Sequence, residues 1–107
     1  RARELIEAGA QVVDVRSHYE HEAGHIAGDR HMPLVELDAD AQQLDREKPV
    51  ILYCRSGDRS GMAADALRAS GWEAYSVAGG LVAWAEAGLP LEPEGGEVAV
   101  RPNLPGA

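Results

Sequence analysis

One cysteine, Cys54, is all the chain offers in thiols, so an internal disulfide and a four-cysteine zinc site are both excluded. Nothing therefore points to an oxidising compartment. No stretch is long and apolar enough to span a bilayer, and no signal-peptide pattern opens the sequence, so a cytoplasmic protein is expected. Positive charge is scarce: 10 Lys and Arg stand against 18 Asp and Glu, a net charge of −8. That balance argues against general binding to nucleic acid or to an anionic membrane face. There is no internal repeat. The first residue is Arg1 rather than Met, which leaves open that the chain is a fragment of a longer protein.

What is present suits one soluble domain. The 107 residues are 45% apolar and 26% charged, enough for a single core. Arg1 to Ala8 predicts a short helix with Leu5 and Ile6 inward and Gly9 as its stop. Gln11 to Val15 is a β-branched run, and Ser17 to His25 is a polar segment that begins with an N-cap residue. A turn-rich passage, Gly24 to Gly28, leads to a brief strand at Met32-Pro33-Leu34, and Leu37 to Leu44 carries a weak helical pattern.

Val50 to Tyr53 is continuously apolar, as in a strand covered on both faces. Ser60 to Ser70 predicts a helix that buries Ala63, Ala66 and Leu67 and ends at Gly71. Glu73 to Val77 alternates like a strand. Gly79-Gly80 then turns into a last helix with Leu81, Trp84 and Ala85 on one face, stopped by Gly88 and Pro90. Residues 92–107, rich in Pro, Gly and Glu, read as a mobile tail or linker. Short strands alternating with helices predict an α/β domain over residues 1–91, in three layers. Its sheet is mainly parallel and twisted, of about four to five short strands with helices on both faces. Sites in such sheets form at the carboxyl ends of the strands.

Cys54 lies at one such end. It closes the apolar run and opens a short polar loop, Arg55-Ser56-Gly57-Asp58-Arg59, ahead of the helix. The thiolate is the reactive form of cysteine, and helix N–H groups and nearby guanidinium groups lower its pKa. Gly57 permits backbone conformations denied to other residues, so successive N–H groups can converge on one point as an anion nest. Arg55 and Arg59 make a positive spot in an acidic chain, which suits a small anion. Asp58 is the one opposing charge, and its cost is small if it points outward or pairs with Arg55 or Arg59.

Cys54-Arg55-Ser56-Gly57-Asp58-Arg59-Ser60 resembles the active-site loop of the rhodanese (thiosulfate sulfurtransferase) family. Val13-Asp14-Val15-Arg16 with Gly24-His25-Ile26-Ala27-Gly28 and Met32-Pro33-Leu34 is similar to that family's first signature. Gly79-Gly80, Trp84 and Gly88-Leu89-Pro90 resemble its C-terminal one, and the three matches occur in family order. The resemblance implies a sulfurtransferase in which Cys54 takes a sulfur from an anionic donor as a persulfide and passes it to a thiophilic acceptor. It implies no metal and no organic cofactor. Arg55, Ser56, Gly57, Asp58, Arg59 and Ser60 would bind the donor, with Asp14, Arg16 and His25 as structural support. The partners implied are a small anionic sulfur donor and a thiol or sulfur-acceptor protein, the chain itself being a monomer or weak homodimer.

Loop length separates this branch from its relatives. Four residues lie between Cys54 and Arg59, whereas the phosphatase branch of the superfamily carries a loop one residue longer that fits a tetrahedral phosphate. A cysteine phosphatase or arsenate reductase is thereby disfavoured. A regulatory or sulfur-delivery module of a larger protein is the other reading. His18, His21, His25 and His31 cluster in sequence, but Gly24 disfavours a continuous helix through them and a structural role is preferred to a metal. Arg16 is expected to pair with Glu20 or Glu22, Asp14 to bond loop backbone, and Trp72 and Trp84 to pack.

Overall fold

Val50–Tyr53 (β3) is buried at every position and lies in the interior of a four-stranded sheet. In the computed structural model, which describes residues 2–99, Gln11–Asp14 forms β1, Arg30–His31 β2 and Ala74–Ser76 β4. The order is β2-β1-β3-β4, with every pair parallel. Parallel strands need crossovers, and these supply α2 His18–Ala23, α3 Leu37–Asp40 and α4 Asp58–Ala69, while α1 Ala2–Glu7 precedes β1 and α5 Gly80–Glu86 follows β4.

The alternation of β3 divides the core in two. Val50 and Leu52 face α3 and α4, packing with Leu37, Ala63, Ala64 and Leu67. Ile51 and Tyr53 face α1 and α5, packing with Leu5, Ile6, Leu81 and Trp84. Helices therefore cover both faces, as the continuous apolar run of β3 requires. The result is the three-layer α/β arrangement expected from the sequence, with a wholly parallel sheet.

Three local expectations shift. The strand expected at Met32-Pro33-Leu34 pairs one step earlier, at Arg30–His31. Met32 and Leu34 still donate N–H groups to the Asp14 and Val15 carbonyls, and Pro33, with none to give, falls between them. α4 begins at Asp58 rather than Ser60. It buries Ser60, Ala63, Ala64 and Leu67, a continuous i, i+3, i+4, i+7 stripe, and leaves Ala66 exposed. The segment from Glu92, expected as a mobile tail, turns back onto the domain. Glu92 exchanges two backbone hydrogen bonds with His25, the Glu97 N–H donates to the Ala23 carbonyl, and Leu91 and Val98 pack on the α1–α5 side. It docks mainly through backbone groups, which is why no apolar period announced it. Arg1 of the first predicted helix and the last eight residues of the expected tail lie outside the described residues.

Gly24 makes that docking possible, because a Cβ there would collide with the Glu97 carbonyl. We expect Gly24→Ala to release residues 92–98 while leaving the sheet folded. Limited proteolysis should then cut near Glu94 much faster than in the parent chain, at unchanged far-ultraviolet circular dichroism. Equal cutting rates would show that the segment is not held this way.

Candidate active site

Cys54 follows β3 directly and is 1% exposed, so its sulfur sits at the floor of the loop rather than on its rim. The Gly57 N–H donates to Sγ at 3.0 Å, the Ser60 N–H at 3.4 Å and the Ser60 hydroxyl at 3.5 Å. Gly57 holds φ at 108°, the conformation that reverses the chain and aims its N–H at the sulfur. Burial pushes the Cys54 thiol up, but the hydrogen bonds from Ser60, Gly57 and the Arg59 N–H outweigh it, and the net pKa is lowered. The loop donors are the main cause of the shift, and the Arg59 guanidinium interacts favourably with the thiolate as well.

The loop's carbonyls are taken up on the other side. The first turn of α5 donates from Leu81 to the Cys54 carbonyl at 2.8 Å and from Val82 to the Arg55 carbonyl at 3.0 Å. A Cβ on Gly80 would lie 2.5 Å from the Arg55 oxygen and 2.6 Å from the Cys54 oxygen, so this approach demands glycine. Ser76, at the end of β4, meets Ser60 at 2.6 Å between hydroxyl oxygens and fixes the side chain that reaches the sulfur. Two hollows of about 340 and 370 Å³ lie elsewhere on the molecule, and neither is lined by Cys54 or its loop.

The two loop arginines differ. Arg59 gives both terminal nitrogens to the Glu20 carboxylate, at 2.8 and 2.9 Å. Glu20 is fully buried at the start of α2, where it also accepts from the Ser17 N–H and hydroxyl. Burial raises its pKa, yet the Arg59 and Ser17 bonds hold it below the ordinary carboxylate range. Arg55 is half-buried, its Nε has no hydrogen-bond partner among the described residues, and no ion pair engages it there. Asp58 is exposed at the head of α4 and pairs with neither arginine, the outward of its two expected placements. Ser56 is exposed at the loop's outer edge.

Behind the loop, Asp14 and Arg16 are fully buried and bound to each other at 2.9 and 2.7 Å. Arg16 also donates to the Gly24 carbonyl at 2.6 Å, so its partner is Asp14 rather than Glu20 or Glu22. Burial alone would raise the Asp14 pKa, but Arg16 and His21 hold it low. The Tyr53 hydroxyl accepts from the Ile26 N–H and donates to Asp29 at 2.5 Å. Burial and the Asp14 charge push its pKa far up, so it stays a donor. His25 stacks on His21 at 4.0 Å and donates Nδ1–H to the His21 carbonyl, which fixes the turn of the Gly-His-Ile segment.

The sequence profile described as the rhodanese-like domain matches residues 1–87. The chain belongs to the rhodanese family. Among its relatives, the Bacillus subtilis protein YqhL is 45% identical over 76 residues, covering 70% of this chain and 60% of that one. Thiosulfate sulfurtransferase GlpE of Pseudomonas fluorescens is 38% identical over 84 residues, covering 78% of this chain and 77% of that one. The crystal structure of a rhodanese-related protein from Thermoplasma volcanium superposes with a TM-score of 0.80 at 35% identity, covering 86% and 91% of the two chains. The rhodanese chain described here spans 60% of the length of the Bacillus relative, and 39% and 15% of two further curated relatives.

Sequence reading missed Glu20 as the partner of Arg59 and missed Ser76 altogether. The Glu20–Arg59 contact spans 39 positions and joins elements whose adjacency only the sheet order reveals. Ser76 is an ordinary serine in a three-residue strand, and no local pattern marks it.

The donor geometry makes a direct expectation for Cys54. Iodoacetamide alkylation followed against pH should inflect below the roughly 8.5 of a free thiol. Ser60→Ala removes one hydrogen bond to an anion, on the order of 1.5 kcal/mol, and should move the inflection up by about one pH unit. An unchanged profile in a folded Ser60→Ala protein would mean that the hydroxyl does not stabilise the thiolate.

Proposed function

We propose that this rhodanese-family chain is a sulfurtransferase that carries sulfane sulfur on Cys54. The observation that carries the reading is the sulfur itself, held at a strand end by the Gly57 and Ser60 donors with its pKa lowered. The Cys54 thiolate attacks the outer sulfur of thiosulfate; the sulfur–sulfur bond of the donor breaks and sulfite leaves with the electron pair. A thiophilic acceptor, such as cyanide or a protein thiol, then attacks the outer sulfur of the persulfide, and Cys54 departs as thiolate. The same amides that hold the thiolate hold the persulfide anion, which needs donors of the same kind. Near-complete burial of Cys54 suits a donor no larger than a small oxyanion.

Arg55, uncommitted to any carboxylate, is the cation left to bind the donor's charge by charge-assisted hydrogen bonds. Arg59 acts differently, bracing the loop against α2 through Glu20. A second reading is a sulfur-delivery module within a longer protein, and the small share that the chain covers of some relatives favours it. Both readings use the same chemistry at Cys54.

Steady-state kinetics with thiosulfate and cyanide test this. Cys54→Ser should fold and show no turnover, since a hydroxyl cannot carry the sulfur. Arg55→Ala should lose about ten- to a hundred-fold in kcat/KM, chiefly through KM, the worth of a charge-assisted hydrogen bond of about 1.5–3 kcal/mol. Turnover by Cys54→Ser near the parent rate would sink the mechanism. A change of less than about twofold in Arg55→Ala would remove Arg55 as a donor ligand.

A further inference from the structure

The bend at Gly24, which breaks the helix between His21 and His25, brings the two rings together rather than apart. They stack at 4.0 Å with 14° between planes, and Asp29 closes the group: donor atoms of His21, His25 and Asp29 lie within 4.8 Å of one another. The hydrogen bonds around the rings decide which nitrogens are bare. His25 Nδ1 faces the His21 carbonyl at 2.9 Å, and a carbonyl can only accept, so Nδ1 carries the proton. His21 Nδ1 faces the ionised Asp14 carboxylate at 2.8 Å, with the same consequence. In the neutral rings the lone pairs therefore lie on Nε2, whereas His21 approaches Asp29 through its proton-bearing Nδ1, at 3.7 Å.

Asp29 adds a charge that nothing fixed neutralises. Its side chain is 3% exposed, and it accepts one hydrogen bond, from Tyr53. Among the described residues no lysine or arginine pairs with it, and the only cationic candidate within 4.0 Å is His21, at 3.7 Å. A nearly buried carboxylate without a fixed cation is costly, and a bound cation would remove that cost. The donor set and its surroundings match what a divalent ion needs. Two imidazoles and one carboxylate leave an open position for water, and the proton-bearing nitrogens are oriented by a carboxylate and a carbonyl.

We propose that His21, His25 and Asp29 form a divalent-cation site, best suited to zinc, beside and separate from the Cys54 loop. Zinc bonds of about 2.0–2.2 Å require the donors to close in from their present spacing. Rotation of the half-buried His21 ring supplies that movement, at the expense of its Asp14 hydrogen bond and of its stacking on His25 and His31. The ion would tie α2 to the turn that follows it. α2 also carries Glu20, so the metal would stiffen the element that holds Arg59. The site does not depend on sulfur transfer, and either can fail without the other.

Calorimetric titration of zinc into the untagged, chelator-treated chain tests the site. One zinc per chain is expected. His25→Gln and Asp29→Asn, each checked for folding by circular dichroism, should weaken binding at least about tenfold. His18→Gln, which changes an exposed ring of the same cluster, should leave binding unaltered. Cobalt bound to the parent chain should show ligand-field absorption without a thiolate charge-transfer band, which also covers the case in which a variant fails to fold. Absence of binding, binding that survives both ligand variants, or a thiolate band reporting coordination by Cys54 would each overturn the proposal.

Discussion

The site depends on how the backbone turns between Tyr53 and Asp58. Amide groups in this loop point inward only because their carbonyls are satisfied from outside, by the Leu81 and Val82 N–H groups at the head of α5. Gly80 lets that helix come close enough, and Gly57 lets the chain reverse over the sulfur. The Cys54 thiolate is thus stabilised by oriented dipoles more than by net positive charge. Such stabilisation would need no rearrangement in the proposed change of the sulfur from thiolate to persulfide, which is the physical advantage of a preformed nest.

Charge acts at one remove. In a chain of net charge −8, one buried and one half-buried ion pair brace the walls of the site. Arg59–Glu20 fastens the loop to α2, and Arg16–Asp14 fastens the end of β1 to the carbonyl of Gly24. Breaking a buried pair strands a charge, at a cost of about 3–5 kcal/mol, so these contacts define geometry more surely than they add net stability. Arg55 remains the loop cation without such a duty, and this difference between two arginines four residues apart frees one of them for the donor in the proposed reaction.

Much of this was legible in the residues alone. The unbroken apolar run of Val50 to Tyr53 announced a strand buried on both faces, and Cys54 at its end with Gly57 beyond it announced a nest. Local signals sufficed there because strand, turn and helix start are contiguous. Contacts between distant segments were not legible. Glu20 reads as one acid in a polar stretch until the sheet order places α2 against the loop. Ser76 and the docking of Glu92 to Val98 rely on single hydroxyl and backbone groups, which leave no periodic trace. The stacking of the histidines was not legible for a related reason: Gly24 ends the helix as expected, and its bend folds His25 back onto His21.

Mass spectrometry after brief exposure to thiosulfate, in the absence of free thiols, examines the central claim most directly. The account predicts one added sulfur per chain, mapped to the peptide containing Cys54, and its removal by cyanide with return to the starting mass. An unmodified Cys54 after exposure, or an added sulfur that cyanide cannot remove, would contradict a persulfide held in this loop.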